Sequence, residues 1–329
     1  MSQRKRFNNN TGMGQVIDAS IAACPEREAI VFHDWRITYG QLGSLVYQTA
    51  HKLRDWGLRR GETAAIITRN CPEFLILEFA MYKIGVIPVK INWRLPPVEM
   101  SHMLEKNHAS FAFFRAERPE WGARFHELCA NKTTVFELTG SGPEGSLLKA
   151  IQDAPDTPVN QTFSDNEPAC HVHTSGTTGH AKCAVYTHGA MLDEIESVVD
   201  LYGYEDGQRC QFIAQLFHSG GIGASLCLCI RGTLILMEAF SAELYMESLI
   251  REQVTAISVV PTVLKWILDE MDVHHYDLHT LKVIRYSTCP IPPALLQRAM
   301  EKLDCAFYQS YGMTEMGSIV TTLQPEGHI

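Results

Sequence analysis

No apolar run in this sequence is long enough to cross a bilayer. The longest nearly apolar stretch, Gly220–Ile230, is about half of the roughly 20 residues that a spanning helix needs. Basic Met1–Phe7 is followed by Asn8–Asn10 rather than by an apolar segment, so no secretory signal is expected. Positive charge is also short: 28 Lys and Arg against 37 Asp and Glu leave a net charge of -9. That balance argues against a nucleic-acid partner, which needs a basic surface to neutralise phosphates. A locally basic site for one small anion is not excluded. The 10 cysteines run from Cys24 to Cys305 without the spacing of a disulfide framework, which suits a reducing cytoplasm. Cys170, His171, His173 and Cys183 come nearest to a metal cluster, and strand alternation would put the two histidines on one face. No second ligand pair stands at zinc-site spacing, so they are read as structural. Internal repeats and low-complexity tails are missing as well.

What is present is a chain of 329 residues, enough for one large or two packed units. Leu42, Leu45, Val46, Ala50, Leu53 and Trp56 recur at helical spacing, and Gly57 supplies a stop. Ala64–Ile67 reads as a strand, a helix opens at Pro72 and runs to about Ile84, and Val86–Val89 reads as the next strand. Pro96–Glu105 is then a helix and Phe111–Phe114 a strand. Asn131–Glu167, rich in Gly, Pro, Ser, Thr and Asp, reads as strand fragments and surface connections. The alternation resumes with strands at Val254–Val260, Leu281–Tyr286 and Ala306–Tyr308, and with helices opening at Pro261 and Pro292. This order predicts an α/β fold: two packed, mainly parallel sheets with flanking helices, the second interrupted in sequence by the first.

The most informative segment is Thr174-Ser175-Gly176-Thr177-Thr178-Gly179-His180-Ala181-Lys182. Its glycines permit a sharp turn and close approach to a ligand, its hydroxyls and N–H groups suit an anion, and Lys182 adds a positive charge. Two residues, not four, separate Gly176 from Gly179, and Cys183 follows Lys182, so this is no Walker loop. Gly221-Ile222-Gly223 has no third glycine, which disfavours a dinucleotide fold.

The loop closely resembles the Ser/Thr/Gly-rich phosphate loop of the adenylate-forming superfamily, which includes acyl-CoA synthetases, 4-coumarate–CoA ligases, luciferases and peptide-synthetase adenylation domains. The resemblance extends over nearly the whole chain. Ile37–Leu42 is similar to an early Thr-Tyr-x-x-Leu segment, Gly57–Glu62 to the turn after it, and Gln215–Gly221 to a central Pro-x-x-His segment with Gln215 in place of proline. Tyr311-Gly312-Met313-Thr314-Glu315 resembles the family's signature at the nucleotide. On this resemblance residues 62–199 form a first subdomain ending in the phosphate loop. Residues 12–61 and 200–329 form a second, which carries the Tyr-Gly-Met-Thr-Glu motif.

The resemblance implies that a carboxylate attacks the α-phosphate of ATP to give an acyl-adenylate and pyrophosphate. A thiol, coenzyme A or that of a carrier protein, then displaces AMP. Thr174, Ser175, Gly176, Thr177, Thr178, Gly179 and Lys182 would hold the β- and γ-phosphates. Thr314 would hydrogen-bond the α-phosphate, Glu315 would ligate Mg²⁺, and Tyr311, with Gly312 and Met313 beside it, would stack on adenine. His218 would orient the acid, and Lys182 would serve the chemistry as well as binding. Ser287, Thr288 and Cys289 stand where the family has a Gly-Gly-Ala adenine-pocket turn; Cys183 and Ala181 replace a usual glycine and proline. Phe217, Gly220–Gly223, Val259, Trp266 and Tyr308 are candidate walls for a fatty or aryl acid. No basic residue among them is placed for a second substrate carboxylate, so a monocarboxylic acid is expected. The family's ribose-binding aspartate, hinge, most of its small β-barrel and its C-terminal lid with a catalytic lysine would lie beyond Ile329. The chain is therefore expected to be an N-terminal portion, nearly inert alone and prone to aggregate or form a homodimer. A nucleotide- or acyl-binding pseudo-enzyme without turnover is the alternative.

Overall fold

The computed structural model describes residues 7–8, 11–174 and 182–328. Its strands form a six-stranded and an eight-stranded sheet. The six-stranded sheet runs Thr134–Glu137, Ala109–Phe114, Thr63–Ile67, Ile87–Lys90, Pro168–His173, Cys183–Thr187. All neighbours in it are parallel except the last pair. The eight-stranded sheet runs Thr321–Leu323, Ala306–Tyr311, Val283–Tyr286, Ala256–Val259, Arg209–Phe212, Thr233–Leu236, Glu28–Phe32, Trp35–Thr38. Only its two edge pairs are antiparallel.

Period-two alternation tells each strand which way to face. Ile30, Leu234, Ala64, Ile66 and Phe113 point into one shared apolar cluster between the sheets. Their neighbours Val31 and Ile235 face an outer cluster with Leu264 and Leu268, and Ala65, Ile67 and Phe114 face another with Met100 and Phe125. Between the sheets runs the helix Pro72–Ile84, buried at every position and closed by Gly85 in the left-handed region at φ 71°. Such a helix carries apolar side chains on every face because none of its faces meets water, and its few charged groups must find partners inside. Its Glu78 is held by the equally buried Lys90, 2.5 Å away, by the Tyr82 hydroxyl at 2.6 Å, and by Ser225 at 3.3 Å from the other sheet's side.

The helix Tyr39–Asp55 begins at a Thr38–Gln41 capping box, in which Thr38 accepts from the Gln41 N–H and Gln41 from the Thr38 N–H. The segment between Phe114 and Asn131, to which the sequence reading assigns no element, carries a helix, Pro119–Cys129. Two local expectations are corrected. The stretch Asn131–Glu167 contains one full strand, Thr134–Glu137, and a short helix, Ser146–Ile151. The last strand does not stop at Tyr308 but reaches Tyr311 and is followed by Thr321–Leu323, since the antiparallel partner extends its ladder.

Candidate functional site

The parallel strands end where their chains turn into helices or loops, and those ends gather around one cavity of about 670 Å³. Ends of parallel strands are a preferred place for ligands, because loops there diverge and leave a crevice. Thr174 enters the wall from the six-stranded sheet; Gln215, His218, Ser287, Thr288 and Gly312–Glu315 enter from the eight-stranded one.

Each of these segments has an identifiable anchor. The Thr174 N–H donates to the Lys182 carbonyl at 2.9 Å, closing the base of the loop between them. Ser175, Gly176, Thr177, Thr178 and Gly179 lie outside the described residues. Asn70, buried on the six-stranded side, reaches across to the His218 segment. It donates to the Ala214 carbonyl at 3.0 Å and accepts from the Leu216 N–H at 2.9 Å. Gln215, in the place of a proline, accepts from the Trp93 indole N–H at 2.9 Å.

The Tyr311–Ser318 segment is tied more tightly. The Tyr186 hydroxyl donates to the Thr314 carbonyl at 2.6 Å, and Glu194 accepts from the Ser318 N–H at 2.8 Å and from its hydroxyl. A Cβ on Gly312 would lie 1.8 Å from the Ser318 carbonyl oxygen, so only glycine fits there. Ser219 Oγ and Thr314 Oγ1, 3.4 Å apart, join this segment to the one bearing His218.

The structure thus brings Thr174, His218, Ser287, Thr288, Gly312, Met313, Thr314 and Glu315 to one wall. It leaves Tyr311 and Cys289 exposed beside that wall, and Lys182 exposed at the loop base. Glu315 presents a carboxylate in no ion pair among the described residues, which suits a hard cation that also keeps water and phosphate ligands. Burial, helped by the Arg94 charge, holds the His218 imidazole below its ordinary value, so it is neutral at pH 7. Burial pushes the Glu194 carboxyl up, and the Ser318 bonds oppose that shift. His171 and His173 do not make a metal pair: each bonds the Asn107 side chain at 2.9 Å.

Two readings of the acid pocket are corrected. Of the named walls only Gly220, Ile222, Gly223 and Val259 line the cavity. Trp266 is 44% exposed and stacks on Phe240, because Val263, Leu264, Ile267 and Leu268 are the helix positions that face the core. Phe217 is buried in the main core, and Tyr308 packs edge-on against Tyr202. The wall also contains a basic residue after all, Arg285, and the tyrosines Tyr202 and Tyr204. Sequence reasoning missed Arg285, Tyr186 and Glu194 because none of them belongs to a motif or stands out from its element: Glu194 is one of several acidic residues on its helix, and Arg285 a lone charge in a short strand. Only the tertiary neighbours give them a role.

The model of the family described as AMP-binding enzyme matches residues 17–329. The fatty acid--[acyl-carrier-protein] ligase ScoC of Streptomyces coeruleorubidus is 29% identical over 93% of this chain and 59% of its own length. A 2-succinylbenzoate--CoA ligase of Bacillus licheniformis is 30% identical over 92% of this chain and 60% of its own. The chain therefore spans about three fifths of the length of these relatives. The N-terminal domain of FACL13 from Mycobacterium tuberculosis superposes with a TM-score of 0.88 at 23% identity, covering 96% of this chain and 79% of that one. The o-succinylbenzoate CoA synthetase MenE from Bacillus subtilis, in complex with its acyl-adenylate OSB-AMP, superposes at 0.83 with 26% identity, over 94% and 61%.

Proposed function

The chain belongs to the AMP-binding enzyme family, and we propose that its cavity holds an acyl-adenylate: the protein activates a carboxylic acid with ATP and passes the acyl group to a thiol. The observation that carries this reading is the convergence of Thr174, Ser287–Thr288, His218 and Gly312–Glu315 on one cavity. In the first step an acid carboxylate oxygen bonds to the α-phosphorus and pyrophosphate leaves with the electron pair of the broken P–O bond. In the second a thiolate attacks the acyl carbon and AMP departs. The difficulty of the first step is bringing an anion to a polyanion, which positioning and fixed electrostatics overcome.

Thr314 donates to an α-phosphate oxygen. Thr174 and Lys182, at the two ends of the phosphate-loop segment, would meet the outer phosphates, with Lys182 supplying charge, and Tyr311 lies against adenine. Ser287, Thr288 and Cys289 border the base, with Gly312 and Met313 beside Tyr311. Neutral His218 orients the acid without adding charge. Glu315 would hold Mg²⁺, whose charge, when bound, offsets that of the phosphates. Apolar Val198, Phe212, Ile222, Leu226, Val259 and Val263 receive the body of a fatty or aryl acid. Coenzyme A and a carrier-protein thiol are both supported as acceptors by the relatives' names.

Calorimetric titration of the chain with acyl-sulfamoyl adenosines is expected to give stoichiometric binding. Glu315→Ala should lower Mg²⁺-dependent ATP affinity by about tenfold, the worth of one charged contact; unchanged affinity would remove that role. A binding protein without turnover is the second reading, favoured by the side chains of Thr288 and Cys289 at the base turn. Adenylate binding without acid-dependent ATP–pyrophosphate exchange by the whole gene product would favour it.

A further inference from the structure

We propose that Arg285 selects the acid, and that the substrate carries a second carboxylate at its far end, received by this guanidinium. The inference rests on the acyl-adenylate reading above. Arg285 lies on the strand Val283–Tyr286, two residues before Ser287, hence roughly 7 Å deeper along the chain at the strand's rise per residue. It lines the cavity and is only 4% exposed.

Its surroundings hold it in place without a carboxylate to pair it: the buried Cys210 thiol lies beside it, and a bond from Cys227, with the guanidinium's charge and hydrogen bond, draws that thiol down. The guanidinium carbon lies 3.6 Å from the centre of the Tyr204 ring and 5.3 Å from that of Tyr202. One long bond, 3.4 Å, runs from Nη2 to the Gln208 side-chain oxygen, and the buried Nε has no partner. Among the described residues Arg285 forms no ion pair. The two carboxylates of the wall are placed elsewhere: Glu194 on Ser318, and Glu315 on the motif segment beside Thr314.

A guanidinium cannot shed its proton to escape burial, as a lysine or histidine can. A buried charge without a counter-charge is strongly unfavourable. Stacked face-on against tyrosine, the group keeps its N–H edge for an in-plane acceptor, and a carboxylate matches that fork. The apolar residues between this point and the motif segment call for an apolar body joining the two acid groups. A dicarboxylic acid with an aliphatic or aryl middle fits both ends.

The test uses the 329-residue chain and pairs of acyl-sulfamoyl adenosines of matched length, one member ending in carboxylate and the other in methyl. Acyl-free sulfamoyl adenosine is the control. At the best-fitting length the native chain is expected to bind the carboxylate-ended member about ten- to a hundredfold more tightly, the worth of a charged hydrogen bond. Arg285→Met should abolish or reverse that preference while leaving the acyl-free control unchanged; Arg285→Lys should keep part of it. Equal or tighter binding of the methyl-ended members by the native chain overturns the proposal, and needs no folded variant. A preference that survives Arg285→Met overturns it too. Failure of the acyl-free control and of every pair to bind would instead remove the adenylate reading, and this inference with it.

Discussion

Thr288 carries a side chain where the backbone is least suited to one. Its φ is 83°, in the left-handed region, and its Cβ is branched. For a non-glycine residue that placement costs roughly 1–2 kcal/mol, and branching adds to it. Glycine would remove the clash but has more freedom to lose on folding, a penalty of about 0.5–1 kcal/mol. Thr288→Gly is therefore expected to stabilise the fold by about 1 kcal/mol. Ser287→Gly, at a position without a positive φ, should give no gain. Thermal melts of the two variants check this, and a Thr288→Gly protein no more stable than Ser287→Gly would refute the strain. Strain in the wall of a site is often retained because it shapes the site. A change in adenylate affinity in the same variant would tie it to binding.

Among the elements, the Tyr311–Ser318 segment decides whether the site exists. Three outside groups hold it: Tyr186 from a strand, Glu194 from a helix, and Ser219 from the His218 turn. Its own condition is Gly312, packed against the Ser318 carbonyl. Gly312→Ala must push the two backbones apart, at a cost of roughly 1–3 kcal/mol for an overpacked site. Because Thr314 and Glu315 follow directly, adenylate affinity should fall by tenfold or more, about 1.4 kcal/mol, even in the fraction that remains folded. Titration at a temperature well below the melt separates the two effects. Native affinity in a folded Gly312→Ala protein would show that the close approach is not needed.

For the whole molecule, stability depends on polar groups buried between the sheets. Removing Lys90 alone leaves Glu78 charged without its counter-ion, at about 3–5 kcal/mol. Lys90→Met with Glu78→Gln should recover part of that, since Tyr82 and Ser225 can still bond the amide; denaturant titration of single and double variants reads the difference. Acid sensitivity follows from His188, whose buried ring accepts from the Met13 N–H and packs against Tyr82 and Phe163. Burial pushes its pKa down to about 4. The folded state thus prefers the neutral ring, so this contribution is complete above the unfolded value of about 6.5. It declines as pH falls from there toward 4, to a limit of about 3 kcal/mol, and is flat below. Burial shifts His171 and His173 in the same direction. His188→Phe should flatten the pH 4–6.5 part of the stability curve; an unchanged slope would assign it to other groups.

The sequence by itself determined the alternation of strands and helices, the two sheets with one interrupting the other, and the segments that converge on the site. These are local properties: side-chain periodicity, a proline at a helix start, glycines and hydroxyls at fixed spacing. It also determined Thr314, Glu315 and His218 as candidates, because contiguous motifs carry them. Only the tertiary structure decided which way each side chain faces and what stands next to it. Trp266 belongs to a periodic helix but faces away from the cavity, since rotation about the helix axis is set by packing. Arg285 reads as one charge in a strand; it becomes a cavity wall only when Tyr204 and Gln208, distant in sequence, close around it. The character of the acid pocket could not be read from the sequence because its walls come from segments far apart along the chain. Their contacts are fixed by the packing of one sheet on the other, not by any pattern along the chain.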